Sequence, residues 1–395
     1  MKILFVLENT MDNLEGGTEI SSRHLAGLLR KRGVEVEEWA PFNARKPIFW
    51  YTSIFGQLYI LIVLLWKLVK NRVHILHIQG KYLVPSVVML GKMLKIPTVA
   101  TIRDYVVVCP IGLCLFGFEK GVSSQQRGDS LKYKHRFWYF FSQEVPRFLS
   151  IYHQNDNLMI RIIRQIFLIR GWFVSWWLKF WLKKADAVVA VSKYVQSVLD
   201  EYEIKSEVIY NAFNPVFASE SNKVRPCRGK VGPLNTKARP LNTILFVGKP
   251  SYGKGHDLFR SLSRNKVFQE FRFVTIGGDN KLPYLETLQK IKAAAAVVVP
   301  SRWPEPFGRV ALEALMLGTP VVATSSGGLT EIIKDRLTGI SVKPTPAGLS
   351  WGLKEIIERN SEFRRNIRLY NPKLKEKFIN KPVQKYLKLY QSLLS

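Results

Sequence analysis

Val297-Val298-Val299-Pro300-Ser301-Arg302-Trp303-Pro304-Glu305-Pro306-Phe307-Gly308-Arg309-Val310-Ala311-Leu312-Glu313-Ala314-Leu315-Met316-Leu317-Gly318-Thr319-Pro320-Val321-Val322-Ala323-Thr324 decides the fold. The β-branched run Val297 to Val299 reads as a strand, and Pro300 with Pro304 ends it. Pro306 takes the place of a first-turn proline, Ala311 to Leu317 are helix formers, and Gly318 stops the helix before a second β-branched run. Strand, loop, helix and strand make a βαβ unit with parallel strands. Ligands of such sheets sit beyond the carboxyl ends of the strands, where Glu305 to Gly308 fall.

Unpaired amides at the start of that helix, approached closely across Gly308, form an anion site suited to a diphosphate. Glu305 precedes this nest and Glu313 follows it, so at 1.5 Å per residue the carboxylates lie up to about 12 Å apart. Carboxylates accept hydrogen bonds from vicinal hydroxyls. A nucleotide sugar carries hydroxyl pairs on both sides of its diphosphate, which matches two acceptors bracketing one anion site.

Pro304-Glu305-Pro306-Phe307-Gly308 with Glu313 resembles the E-x7-E motif of retaining glycosyltransferases of the GT-B fold, like those of glycosyltransferase family 4. Ser326-Gly327-Gly328-Leu329-Thr330-Glu331 follows in keeping with that pattern. The resemblance implies an α/β chain of two Rossmann-like domains facing a central cleft. It also implies retaining, metal-independent, hexosyl-type transfer from a nucleotide sugar, with no cofactor beyond that co-substrate. Glu305 would orient the sugar and Glu313 would hold the ribose. Lys249, Lys254 and the amides of Gly308, Arg309 and Val310 would stabilise the departing diphosphate, beside Phe307. Gly16-Gly17 resembles the family's glycine-rich first loop facing the interdomain cleft, which implies that the pair helps bind the donor, although a plain turn explains it about as well. Pro97 to Tyr105 reads as a strand and resembles the family's strand ending in His-Asp before Cys-Pro: Arg103 replaces the histidine, Asp104 matches, and Cys109-Pro110 follows. Lys249 replaces the arginine usual before Lys254, so a bidentate phosphate fork becomes a point charge.

A chain of 395 residues is long enough for two buried cores. Lys plus Arg number 59 against 30 Asp plus Glu, a net charge of +29, and the pI is near 10.0. Such an excess calls for an anionic partner. No zinc-finger spacing, RNP-like run or continuous basic arm points to nucleic acid, whereas 10 Trp, 15 Tyr and 23 Phe suit a membrane interface. An anionic membrane surface is therefore the expected partner, and nucleic acid is not. Cys109, Cys114 and Cys227 form neither a disulfide framework nor a metal-ligand spacing. With no secretion signal before Ile3 to Val6, a cytoplasmic protein is expected, peripheral or monotopic on the inner face of the membrane.

Along the chain, Ile3 to Leu7 reads as a first strand, and a helix after Gly16-Gly17 ends at Gly33. Val34 to Trp39 and Val73 to Ile78 are further strands of one sheet. The uncharged run Ile48 to Trp66 lies between them, so it reads as one helix packed on the sheet, its other face meeting lipid or buried. Lys120 to Lys184 carries 12 basic and 3 acidic residues, with 14 aromatics from Phe137 to Trp181. Lipid or a lipid-linked acceptor fits it, and so does a buried helical pair. Ala185 to Val191 is a strand with Ser192 capping the next helix, and Val208 to Asn211 is another. The predicted acceptor-side domain is 1–216, the linker 217–242 and the donor domain 243–379, with a terminal helix at about 380–395 packing back on the first domain.

The expected activity is sugar transfer from a nucleotide diphosphate to a lipid-linked or saccharide acceptor, in polysaccharide or glycoconjugate biosynthesis. A nucleotide-sugar epimerase of the same fold is a rival reading. So is a catalytically inactive, membrane-bound nucleotide-sugar sensor, favoured by Arg103.

Overall fold

The computed structural model describes residues 1–8, 16–42, 48–108, 158–214 and 242–395. The expected linker up to residue 241, the three cysteines, and the part of the basic aromatic region before residue 158 lie outside them. The chain forms two compact units: Met1–Ser22, Leu29–Ile209 and Leu387–Ser395 make the first, Arg23–Leu28 and Tyr210–Tyr386 the second.

The first unit holds β1 (Lys2–Val6), the two ends of α1 (Gly17–Arg30), whose residues Arg23–Leu28, His24 included, belong to the second unit, and β2 (Glu35–Trp39), α2 (Ile48–Thr52), α3 (Ile54–Lys70), β3 (Ile75–Ile78), α4 (Val84–Leu94), β4 (Thr98–Ile102), α5 (Leu158–Leu182), β5 (Ala187–Ala190), α6 (Lys193–Asp200) and β6 (Glu207–Val208). Its strands are all parallel, in the order β2-β1-β3-β4-β5-β6. β1, β3 and β4 are buried on both faces, which is why they read as continuous apolar runs and not as alternations. β2 is an edge strand and tolerates three glutamates, two of which bind Lys2 at 3.1 and 3.4 Å.

Two expectations are corrected here. Ile48 to Trp66 is not one helix: Ser53 interrupts it, its Oγ accepting the Gly56 N–H at 3.1 Å and so capping α3 afresh. The strand expected over Val208 to Asn211 stops at Val208, because from Tyr210 the chain belongs to the second unit, where the Tyr210 hydroxyl donates to Glu331 at 2.9 Å. The expected cap at Ser192 is present, with Oγ accepting from Val195 N–H at 3.0 Å.

The second unit holds β7 (Thr243–Val247), α7 (His256–Ser263), β8 (Arg272–Ile276), α8 (Tyr284–Ala293), β9 (Ala296–Val299), α9 (Arg309–Met316), β10 (Val321–Thr324), α10 (Leu329–Ile332), β11 (Gly339–Val342), α11 (Pro346–Glu358) and α12 (Asn360–Lys375). A π-helical turn, Glu376–Asn380, leads into α13 (Lys381–Ser392), whose last residues belong to the first unit. The sheet is again parallel, in the order β11-β10-β9-β7-β8. Phe246, Phe259, Phe268, Leu353 and Phe363 form its core with α7 and α11 on one face. Both sheets are doubly wound, and their order reverses between β1 and β3 in one and between β7 and β9 in the other. A crevice opens at such a reversal, beyond the carboxyl ends of the strands.

His77 on β3 is buried, with Nε2 2.7 Å from Thr101 Oγ1 and Nδ1 2.7 Å from Tyr390 Oη of α13. Burial first, and the nearby Arg103 charge second, hold its pKa well below the ordinary histidine value. His24 on α1 is likewise pushed down to about 3 by burial first and Arg309 second. An unfolded histidine titrates near 6.5, so as pH falls the unfolded chain takes up these protons first. Stability present above about pH 6.5 is therefore lost progressively below it. Thermal denaturation across pH should show a melting temperature that is flat above about 7 and falls below 6.5, and His77→Gln should flatten the fall. An equally steep fall in the variant would remove His77 as a source.

Candidate active site

In the second unit the loops after β7 and β9 meet at the reversal point. Their close approach depends on Gly255, whose φ is 68° and where a Cβ would sit 1.9 Å from the Pro300 carbonyl oxygen. The turn before it directs Lys254 at Glu305, which is 7% exposed. Three donors converge on one oxygen of that carboxylate: Lys254 Nζ at 2.7 Å and Trp303 Nε1 at 3.0 Å reach Oε1, as does the Ser301 hydroxyl. The indole face also lies under Lys254 Nζ, 4.5 Å from the ring centre. Oε2 is left for another donor. The main chain of Glu305 is held too, its carbonyl accepting from Gly328 N–H at 2.7 Å.

Phe307 is buried and meets Phe378 edge to face at 5.9 Å, which anchors the loop just before the helix. Gly308 follows at φ 94°, and a Cβ there would lie 2.5 Å from Leu329 Cδ2. A residue in that left-handed conformation cannot belong to the helix, so α9 starts at Arg309 and not at the first-turn position expected of Pro306. Leu312 N–H is bonded to Gly308 O at 3.2 Å, and no side chain caps the helix. The first-turn amides of Arg309 and Val310 thus remain as donors at the carboxyl edge of the sheet.

Glu313, one turn into α9, is 1% exposed; its Oε1 accepts from Tyr284 Oη at 2.9 Å and lies 3.4 Å from Arg309 Nε. Burial raises its pKa, opposed by Arg309 and by the tyrosine bond. Lys249 is exposed, with no ion pair among the described residues.

In the first unit the corresponding reversal point gathers Glu8 after β1, Lys81 after β3, and Arg103 and Asp104 after β4, with Gly16 and Gly17 opening α1. Lys81 is paired with Asp104, whose other oxygen accepts Val106 N–H at 3.0 Å. Glu8 accepts Tyr82 N–H at 3.0 Å, and burial raises its pKa against the opposing charge of Lys81. Burial also works against the charge of Lys81, but Asp104, Tyr82 and Glu8 outweigh it and the ammonium is retained. Gly16 O accepts Ile20 N–H at 3.3 Å, a helix-opening role.

Ser301, Trp303 and Tyr284 were not singled out from the sequence, nor were Glu8 and Lys81. The first two flank Glu305 closely enough to have been considered as its donors. Glu8 and Lys81 become significant only when the strand order places β1 beside β3. Among the described residues no three His, Cys, Asp or Glu side chains are grouped to hold a metal ion.

Two doubly wound parallel units, with the loop before α9 at the reversal point of the second, define the GT-B fold. Residues 281–374 match the profile of the glycosyl transferases group 1 family. An uncharacterized glycosyltransferase of Methanocaldococcus jannaschii is 35% identical over 202 residues, 43% of this chain and 50% of the relative. Glycogen synthase of Mycobacterium tuberculosis is 27% identical over 243 residues, 54% of each chain. The chain thus spans about half the length of these curated relatives. Among solved structures, sucrose-phosphate synthase of Thermosynechococcus elongatus superposes with a TM-score of 0.65 at 16% identity, over 99% of this chain and 98% of that one. Anabaena HepE in complex with UDP-glucose gives 0.57 at 16% identity, over 99% and 100%.

Proposed function

We propose that this protein is a retaining glycosyltransferase. It moves a hexosyl group from a nucleotide diphosphate to a lipid-linked or saccharide acceptor at an anionic membrane surface, in glycan biosynthesis. The observation that carries the reading is Glu305: its Oε1 is saturated by Lys254, Trp303 and Ser301, while Oε2 faces no described donor, beside the uncapped start of α9. A carboxylate so fixed is suited to orienting sugar hydroxyls, and the α9 amides with Lys254 are suited to a departing diphosphate.

In this mechanism the bond from the anomeric carbon to the phosphate oxygen breaks as the acceptor oxygen attacks from the same face. The acceptor proton passes to the departing phosphate oxygen, so no protein base is needed and the configuration is retained. Lys249, exposed after β7, would add a second point charge to the diphosphate. Glu313 would take the ribose as a further donor beside Tyr284 and Arg309, within the capacity of a carboxylate. Asp104, held by Lys81, and the permanently charged Arg103 would face the acceptor, with Gly16 and Gly17 lining the same edge.

A screen of nucleotide sugars for thermal stabilisation, followed by transfer assays with and without acceptor, tests the reading. Glu313→Ala should weaken binding of the cognate donor by about 1–3 kcal/mol in calorimetry, the loss of a hydrogen bond to a charged group. Unchanged affinity would remove Glu313 from the ribose site. A sensor, favoured by Arg103 in place of histidine, would bind donor tightly and transfer nothing.

A further inference from the structure

We infer that α3 and α5 lie in the interface of an anionic bilayer and bring the carboxyl edge of the first sheet up to the lipid surface. This deepens, and rests on, the reading of a membrane-surface acceptor. α3 packs beside α4 and α4 beside α5, so the three helices share one face of the sheet. Their inner faces are covered: Ile60, Leu64, Val87, Val88, Leu178 and Leu182 are buried. Their outer faces are apolar in a way a free surface is not. Along α3, Phe55 is 81% exposed, Ile62 66% and Val69 77%; along α5, Met159 is 72% and Phe167 61%, with Trp176 also exposed. The stripe runs the length of α3, and on α5 it is present at Met159 and again from Ile166 to Phe180, so it fits a face lying flat at an interface. Among the described residues no helix is long and apolar enough to cross a membrane.

Charge identifies the occupant. Every charged residue of α3, α4 and α5 is Lys or Arg, and none is Asp or Glu. Lys70 lies 3.5 Å over the Trp66 ring, and Lys184, just past α5, lies 4.4 Å over Phe180. A ring in the acyl boundary with an ammonium reaching the headgroups is the arrangement an interface favours. A second copy of this chain on the same face would instead oppose cation to cation.

The orientation follows from the strands. Helices that cross between parallel strands run against them, so α3 and α5 begin at the carboxyl edge. Contacts agree: Tyr51 Oη, just before α3, donates to Glu8 O at 2.6 Å, and Ser175 Oγ of α5 donates to Val107 O at 3.1 Å. Arg170 bonds to Thr52 Oγ1 at the start of α3. The α5 turns before Arg170 therefore extend about 18 Å past that level. The apolar start of α3 and these turns flank the edge that carries Lys81, Arg103 and Asp104. An acceptor with a lipid tail would reach that edge without leaving the bilayer.

Flotation with vesicles of phosphatidylglycerol and phosphatidylcholine, against phosphatidylcholine alone, tests the assignment on the full chain. The wild type should float with the anionic vesicles, and a fraction should stay bound in high salt, where screening removes a purely electrostatic attachment. Phe55→Ser with Trp176→Ser should lower the partition coefficient about tenfold or more, since two exposed aromatics lose their buried area. Both positions are outward-facing, so the thermal shift given by the cognate nucleotide sugar should be unchanged. Equal binding by this variant, or no preference for anionic vesicles, would overturn the assignment, as would a lipid-free dimer that the same substitutions dissociate. Loss of flotation with donor binding intact overturns only the bilayer contact. Failure of every nucleotide sugar to bind, with flotation intact, overturns only the transferase reading.

Discussion

Glu305→Ala should lower turnover about 10²–10³-fold while changing donor affinity much less, on the scale seen when a preorganised polar group at a reacting centre is removed. Its carboxylate is positioned by Lys254 at 2.7 Å, Trp303 at 3.0 Å and the Ser301 hydroxyl, all on Oε1. Deleting it leaves three donors without their partner and, on the proposed mechanism, removes the acceptor for the sugar hydroxyls. Glu305→Gln keeps the shape but loses the charge, so Lys254 would retain a weaker bond and turnover should fall between wild type and alanine. Steady-state kinetics with the cognate donor would separate turnover from KM. A variant that binds donor and transfers at the wild-type rate would exclude Glu305 from the reaction.

Lys254→Ala should cost a similar factor, about 10²–10³ in turnover, because the compact ammonium beside α9 is suited to the charge that develops on the leaving diphosphate. The effect has two parts. On the proposed mechanism the diphosphate would lose a cation, and Glu305 loses an ion partner at a site where it is only 7% exposed. Lys254→Arg should restore part of the rate, since charge is kept while the planar guanidinium fits the Trp303 face and Oε1 differently. Product inhibition by the free nucleoside diphosphate gives an independent check: the alanine variant should be inhibited more weakly. Unaltered inhibition together with unaltered turnover would place Lys254 outside the anion site.

The βαβ unit around Glu305 was legible because its signals are local. β-branched runs, prolines and Gly318 are read one residue at a time, and β9, α9 and β10 follow them closely. Where a local signal has two explanations, the folded structure decides between them. Pro306 looks like a helix opener, but the left-handed Gly308 two residues later postpones the helix to Arg309. Ser53 looks like one polar residue in an apolar run, yet its bond to Gly56 N–H starts a new helix.

From the sequence alone follow the class of fold and the excess of positive charge, since each depends on residue type and near-neighbour order. The tertiary structure alone decided which oxygen of Glu305 is occupied, that Tyr284 and Arg309 hold Glu313, and that Glu8 and Lys81 join Asp104. It also decided that the uncharged stripe of α3 and the basic α5 share one face, beginning at the edge where Asp104 lies. Apart from Arg309, which lies four residues before Glu313, these partners are separated by tens of residues along the chain. Their meeting depends on strand order and crossover hand, which set distances that no local pattern of side chains encodes.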